Sequence, residues 1–410
     1  MDCQAARRQN ALNLRPREGY KRRFMNRSIS ILMALLVGAA SPHDTAMAQS
    51  DDPTDWRTAA ARIVSRLALV RGERVLLVGV PGAADALVPV LREAIRAAGG
   101  TDLGAVAQQG AQPPAWSTDF TNELAKRTGQ AFDEYLSTVD AAVMMPGATV
   151  TDPAYAGMQR VLRSGHGRTV HFHWAGAYDE AGVLLPTTPD IARVYSRALL
   201  ETDYAGLAAK QRAFEAAMRG KVVHVTTPLG TDLRFRIGDR PVTKQDGDAS
   251  AARAKLARNL VDREVELPAG AVRVAPIEST VEGTIAFPPS EWGGTRVEGL
   301  VLTFARGQVT GIRAAAGREA VERELAGGGT GARAFRELAV GFNPLLAIPA
   351  EGRRWIPYYG YGAGVIRLSL GDNTELGGDV GGGYVRWNFF TDATVAVGSE
   401  IWVRDGRLVR

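Results

Sequence analysis

Hydrophobic and polar positions along this chain follow two different rules, and the change from one to the other falls near residue 220. From Asp55 to Gly220, helical and strand spacings alternate. Trp56 to Val70 carries apolar residues at helical spacing and predicts an amphipathic helix. Arg74 to Val80 (RVLLVGV) is a continuous apolar run, the pattern of a strand covered on both faces. Asp85 is placed to cap a second helix whose apolar face includes Leu87, Leu91 and Ile95, and Gly99-Gly100 ends it. Further strands are expected at 103–106, 141–145 and 169–174, with helices between them and one long helical segment from Ile191 to Arg219. Such alternation predicts a parallel sheet with crossover helices. After Lys221 the pattern becomes short strands punctuated by Gly, Pro and Asp (VVHVTT, DLRFRI, VRVAPI, GTIAF, VEGLVLTFA, VTGIRAA, VIRLSL, ATVAVG), with a helix near Arg318–Leu325. The expected architecture is an N-terminal parallel-sheet α/β domain over 51–220, followed by a β-rich α+β domain over 221–410.

The first 48 residues obey neither rule. Ile29 to Ala40 is an apolar run too short for a bilayer, which needs about 20 residues. Lys21, Arg22, Arg23 and Arg27 precede it, and Ala46-Met47-Ala48 follows. This is the order of a cleavable secretory signal, with cleavage expected after Ala48 and a periplasmic or secreted destination. Met25 is an alternative start, because residues 1–24 are too polar and too long for a signal. Gln49, not Cys, follows the cleavage point, so a lipid anchor and a membrane partner are not expected.

Removing the leader changes the charge argument. It holds 8 of the 49 basic and 3 of the 44 acidic residues, which leaves 41 of each. The mature chain is formally neutral, and the basic footprint of a nucleic-acid binder is absent. Cys3, the only cysteine, leaves with it, which excludes an internal disulfide and a cysteine nucleophile.

Local motifs carry little chemistry by themselves. Gly79-x-x-Gly82 lacks the third glycine of a dinucleotide fingerprint and reads as a strand-to-helix turn. No Gly-x-Ser-x-Gly elbow occurs. His171 and His173 fall on one face of an expected strand. No third ligand stands at a recognised spacing, so the pair reads as structural rather than as a metal site.

The second half is more informative through the order of its motifs. These are Thr226-Thr227-Pro228-Leu229-Gly230-Thr231-Asp232-Leu233, Leu267-Pro268-Ala269-Gly270, Ala275-Pro276-Ile277-Glu278, Glu337-Leu338-Ala339-Val340-Gly341-Phe342-Asn343-Pro344, Leu368-Ser369-Leu370-Gly371-Asp372-Asn373 and Gly377-Gly378. In this order they resemble the aminopeptidase T family, leucyl aminopeptidases with a dinuclear metal centre, over nearly the whole mature chain. The resemblance implies the aminopeptidase T architecture and a homodimer. It also implies a set of metal ligands, most of which are replaced here. Ala271 stands where the family has a glutamate after Pro-Ala-Gly, while Glu337 is retained. Arg367 replaces a histidine, Thr374 a tyrosine, and Arg386 and Asn388 a closing His-x-Asp pair. The family's iron dioxygenase relatives use a His-x-Asp pair that is missing too.

Arginine is cationic and offers no lone pair to a metal. No bound cofactor is therefore expected, and the candidate ligand-binding residues are Arg367, Arg386, Asn388 and Glu337. One reading has the arginines gripping a carboxylate or phosphate of a peptide or small anionic molecule. A second has Arg367 or Arg386 filling the old site by pairing with Glu337, which leaves a structural or partner-binding protein. A third keeps an active aminopeptidase with a rearranged, oxygen-only site for a hard divalent cation, drawn from Glu337, Glu278, Asp372 and Asp379, with Asp232 as a further carboxylate or a turn residue. Trp355, Tyr358, Tyr359 and Tyr361 form either a pocket wall or a packed core group.

Overall fold

A computed structural model describes residues 55–410, apart from 175, 180–181 and 350–353. The leader, its cleavage point after Ala48 and the alternative start at Met25 lie outside the described residues. The helix expected at Trp56 forms as α1 (Trp56–Leu67), because Asp55 accepts hydrogen bonds from the Arg57 and Thr58 amides and Ala59, Ala60, Ile63, Val64 and Leu67 make one buried stripe. It stops three residues earlier than its pattern, at Ala68 in the left-handed conformation. The second helix, α2 (Leu87–Ala97), buries Leu87, Leu91 and Ile95 as expected. Asp85 does not cap it; its carboxylate takes the Gly82 amide at 2.9 Å instead, holding the turn after the first strand.

The N-terminal sheet contains β1 (Arg74–Gly79), β2 (Thr101–Ala107), β3 (Ala141–Met144), β4 (Arg168–Phe172) and β5 (Glu264–Leu267), in the order β5-β4-β3-β1-β2. Every pair in it is parallel. Helix α3 (Pro153–Arg163) starts from Pro153, with the Asp152 carboxylate accepting from the Ala154 amide, and leads into β4. The long helical segment expected from Ile191 is two helices, α4 (Pro189–Glu201) and α5 (Tyr204–Met218). The break falls where the Thr202 hydroxyl donates to Ala198 O at 2.6 Å and Asp203 caps α5 through the Gly206 amide. Among the described residues no helix is long and apolar enough to cross a membrane.

The later half is β-rich, as its pattern requires. Strands β6 (Ala271–Val274), β7 (Phe335–Gly341), β8 (Ile366–Gly371) and β9 (Val385–Phe390) form an antiparallel sheet in the order β9-β8-β7-β6, with Val242–Lys244 beside β6. An eight-stranded antiparallel sheet is built from segments between Val223 and Leu408. The change of pattern near Lys221 does not separate the two halves physically. Strand β5 comes from the later half and pairs along β4, Glu266 opposite His171 and Leu267 opposite Phe172. One apolar core joins Val75, Val170 and Phe172 to Leu267, Val272, Leu338 and Phe390. A three-residue loop, 268–270, then carries the chain from the parallel sheet into the antiparallel one. This crossover puts the ends of β4 and β5 beside the start of β6.

Candidate functional site

Strand pleat decides which of the candidate residues meet. On β7, Glu337 and Ala339 point to one face; their partners on β8 are Ser369 and Arg367, and Arg273 on β6 stands opposite Ala339. The small Ala339 lies between the two arginines and leaves room for both to reach Glu337. Arg273 Nε donates to Glu337 Oε2 at 3.0 Å, and Arg367 Nη2 to Oε1 at 3.0 Å. The Ser369 hydroxyl donates to Oε1 at 3.2 Å, and Arg336 Nε lies 3.6 Å from that oxygen. Glu375 continues the network, 3.1 Å from Arg273 and in close contact with Arg336. Glu337 is fully buried and Arg367 is 1% exposed. Burial pushes the Glu337 carboxyl up, but the charges of Arg273, Arg367 and Arg336 outweigh it and hold the group far below the usual carboxylate range.

Glu337 is therefore surrounded by guanidinium groups. Arg367 also donates to Tyr359 O at 3.2 Å, with its guanidinium carbon 5.1 Å from the Trp387 ring centroid. Ala271 is packed in an apolar cluster with Ala198, Leu346 and Tyr361. These residues do not fit a pair of metal ions: the carboxylate that remains is already neutralised by cations. The Gly-Phe-Asn-Pro motif is a structural latch. Asn343 Nδ2 donates to Thr202 Oγ1 at 2.9 Å and to Ala269 O at 2.7 Å, while its Oδ1 accepts from the Leu345 amide. Gly341 is required by packing, because a Cβ there would stand 1.9 Å from Gly362 O.

Arg386 and Asn388 do not join this group. Their partners on β8 are Leu370 and Leu368, so they occupy the opposite face of the sheet from Glu337 and Arg367. Asn388 donates to Leu368 O at 3.1 Å. Arg386 lies over the Trp292 ring at 3.5 Å, donates to Glu324 at 2.8 Å, and reaches Glu291 O at 2.6 Å. The other carboxylates are also engaged elsewhere. Glu278 accepts from Asn373, from the Asp379 amide and from Arg240, and Arg240 also pairs with Asp379. Asp372 holds a turn through the Thr374 and Gly383 amides. Asp232 pairs with His224 and Arg234 on a strand surface. Thr374 is exposed. Of the aromatic group, Trp355 and Tyr361 are buried, which makes them packed core, and Tyr359 is half-buried.

A second polar cluster lies at the carboxyl ends of β4 and β5. His171, opposite Glu266 in register, shares a face with Glu264 and with His173, just beyond the end of β4. His173 Nε2 and Glu266 Oε2 are in close contact, and His171 Nδ1 is 3.8 Å from Glu266 Oε1. His171 Nε2 stands 3.7 Å from Glu264 Oε1. Helix α3 covers the group with two side chains one turn apart: Tyr155 Oη is 3.2 Å from His171 Nδ1, and Gln159 Nε2 donates to Glu264 Oε1 at 2.6 Å. Three of the titratable groups respond differently to burial. It pushes His171 down to about 4, against the pull of Glu266. It pushes Glu264 up to about 8, with Glu375 and Glu266 adding to the effect. Glu266 is kept below the ordinary range, because His173, His171 and Arg273 outweigh its burial. His171, His173 and Glu266 each offer a ligand atom, and these atoms lie within 4.8 Å of one another.

Spacing along the chain could not supply the third member of this group. Its signal was a matching pair of patterns, His171-Phe172-His173 and Glu264-Val265-Glu266, each with two titratable residues flanking an apolar one. Ninety-odd residues separate them, and only strand pairing makes them neighbours. Arg273 and Arg336 were likewise outside the motif positions that drew attention to Arg367.

Comparison with known proteins agrees with the resemblance read from the motifs. The model of the thermophilic metalloprotease (M29) family matches residues 204–346. No curated protein matches the chain. Two solved structures share the fold. Wild-type AmpT from Thermus thermophilus aligns with a TM-score of 0.54 at 20% identity, over 87% of this chain and 99% of that one. A 2,5-dihydroxypyridine dioxygenase from Pseudomonas putida KT2440 aligns with a TM-score of 0.57 at 17% identity, over 87% and 97%. The α/β architecture with a β-rich second half is thus a fold that this chain shares with AmpT and with the dioxygenase.

Proposed function

We propose that this chain is an exported peptidase-like protein that has lost dinuclear hydrolysis at the family's position and kept the fold for a non-hydrolytic, binding or structural role. The observation that carries the reading is the buried carboxylate of Glu337, held between Arg273 and Arg367. A hydrolytic metal pair needs several free carboxylates and imidazoles to hold it and to generate hydroxide. Here the one retained ligand is spent on two cations. Burial of Arg367, and the placement of Arg386 on the other face, argue against an open anion clamp made by these two arginines together. The leader pattern supports delivery outside the cytoplasm, and the family resemblance supports a homodimer.

The test is an assay of chromogenic aminoacyl substrates on the purified protein, with and without added zinc or cobalt, together with metal analysis. The expected result is no metal-dependent cleavage sensitive to Glu337→Gln. Two equivalents of metal per chain, with cleavage abolished in a folded Glu337→Gln variant, would overturn the proposal. A second reading, hydrolysis at a displaced single-metal site, draws on the His171, His173 and Glu266 cluster. It requires cleavage that is lost in His173→Ala and kept in Glu337→Gln.

A further inference from the structure

The cluster at the ends of β4 and β5 lies outside the family's ligand positions, yet its donors are better suited to a metal than anything that remains there. We propose that His171, His173 and Glu266 form a mononuclear site for a first-row divalent cation of the zinc and cobalt type.

Four observations carry the assignment. Three donors of the right kind converge, with ligand atoms within 4.8 Å of one another. Two imidazoles and one carboxylate suit zinc and its neighbours, whereas calcium and magnesium prefer oxygen alone. The scaffold is rigid: the imidazoles come from positions two apart at the end of a strand, and the carboxylate comes from the adjacent parallel strand, in register with His171. The His173 amide donates to Leu267 O at 2.8 Å, which fixes the two strand ends together. Finally, His171 is only 6% exposed and its Nε2 has no hydrogen-bond partner among the described residues, an arrangement that ordinarily costs stability. A buried imidazole nitrogen of this kind is accounted for if a cation takes its lone pair.

The surroundings complete the fit. Tyr155 stands against His171 Nδ1 and so sets the orientation of the ring, with Nε2 turned toward Glu264. Glu264, fixed by Gln159, brings a second carboxylate beside that nitrogen. The Tyr359 ring lies 5.9 Å from His173, and the Tyr359 carbonyl accepts from Arg367. The site is thereby linked to the arginine network but has no ligand in common with it. It also sits at the carboxyl ends of parallel strands, where open α/β sheets bind their ligands. Three protein ligands leave a coordination position for water or a small donor molecule.

The proposal is tested by stripping the purified protein with a chelator and titrating it with Zn2+ by calorimetry and with Co2+ by visible absorption. One equivalent per chain is expected, with cobalt bands typical of imidazole and carboxylate ligation. His173→Ala and Glu266→Gln should each weaken binding by more than about 100-fold, given that even residues behind metal ligands typically contribute 10–100-fold. Circular dichroism establishes that each variant is folded, and His173, the least buried of the three, gives the variant least prone to misfold. Glu337→Gln should leave the stoichiometry at one. Absence of zinc binding, or binding unaffected by both cluster substitutions, overturns the assignment. A second equivalent that disappears in Glu337→Gln would instead refute the proposed loss of the family's dinuclear centre, so the two failures are distinguishable.

Discussion

Substituting Glu337→Gln tests whether the arginine network is a buried, mutually dependent assembly. The side chain keeps its shape and loses its charge. Among the described residues, Arg273 then retains Glu375, at 3.1 Å, and Arg367 retains the Tyr359 carbonyl and the faces of Tyr359 and Trp387. At about 4 Å and an effective dielectric of about 20, each guanidinium–carboxylate pair is worth about 4 kcal/mol of attraction before the cost of desolvation. Losing one partner of a buried pair leaves the other charge uncompensated, and the net cost is typically about 3–5 kcal/mol. We expect a loss of that size in equilibrium urea unfolding followed by tryptophan fluorescence. A double variant, Glu337→Gln with Arg367→Met, removes the guanidinium that has no other carboxylate partner among the described residues. It should be more stable than Glu337→Gln alone, with a coupling of about 1–3 kcal/mol in the double-mutant cycle. The reasoning is refuted if the single substitution costs less than about 1 kcal/mol, the range of an exposed ion pair. It is also refuted if removing Arg367 restores nothing.

Acid stability follows from the same carboxylate. The folded-state value of Glu337 is depressed below its ordinary 4.5, so its contribution is fully present above that value and is lost as pH falls through the folded one. Stability against urea should decline below about pH 4.5, by up to about 1.4 kcal/mol per pH unit from this group, and more shallowly in Glu337→Gln. Asn343→Ala leaves the Thr202 hydroxyl, the Ala269 carbonyl and the Leu345 amide without their side-chain partner; a loss of about 2–4 kcal/mol in urea unfolding is expected. Arg386→Ala removes a half-buried pair with Glu324 and the stacking over Trp292, worth about 1–2 kcal/mol together. Because it lies on the other face of its sheet, it should be additive with Glu337→Gln, and a coupling above about 0.5 kcal/mol would contradict that placement.

The sequence by itself determined the local elements and the order of the motifs. Apolar periods specified α1, β1 and α2, since 3.6- and 2-residue spacings are properties of the backbone geometry. The motif order specified the architecture, and arginine at Arg367 was enough to argue against a metal there, because a guanidinium has no free lone pair. Pairing of Arg367 with Glu337 was among the readings the residues allowed, and tertiary structure selected it. Structure also decided what no spacing encodes. Pleat direction in β8 and β9 sent Arg386 and Asn388 to the face opposite Arg367, and register depends on which strands pair across long separations. The same dependence hid the His171, His173 and Glu266 cluster. Strand β5 belongs by composition to the β-rich half, and only its pairing along β4 brings Glu266 opposite His171. A sequence lists donors, but convergence belongs to the fold, because three ligands are neighbours only after the chain has paid the entropy of bringing distant strands together.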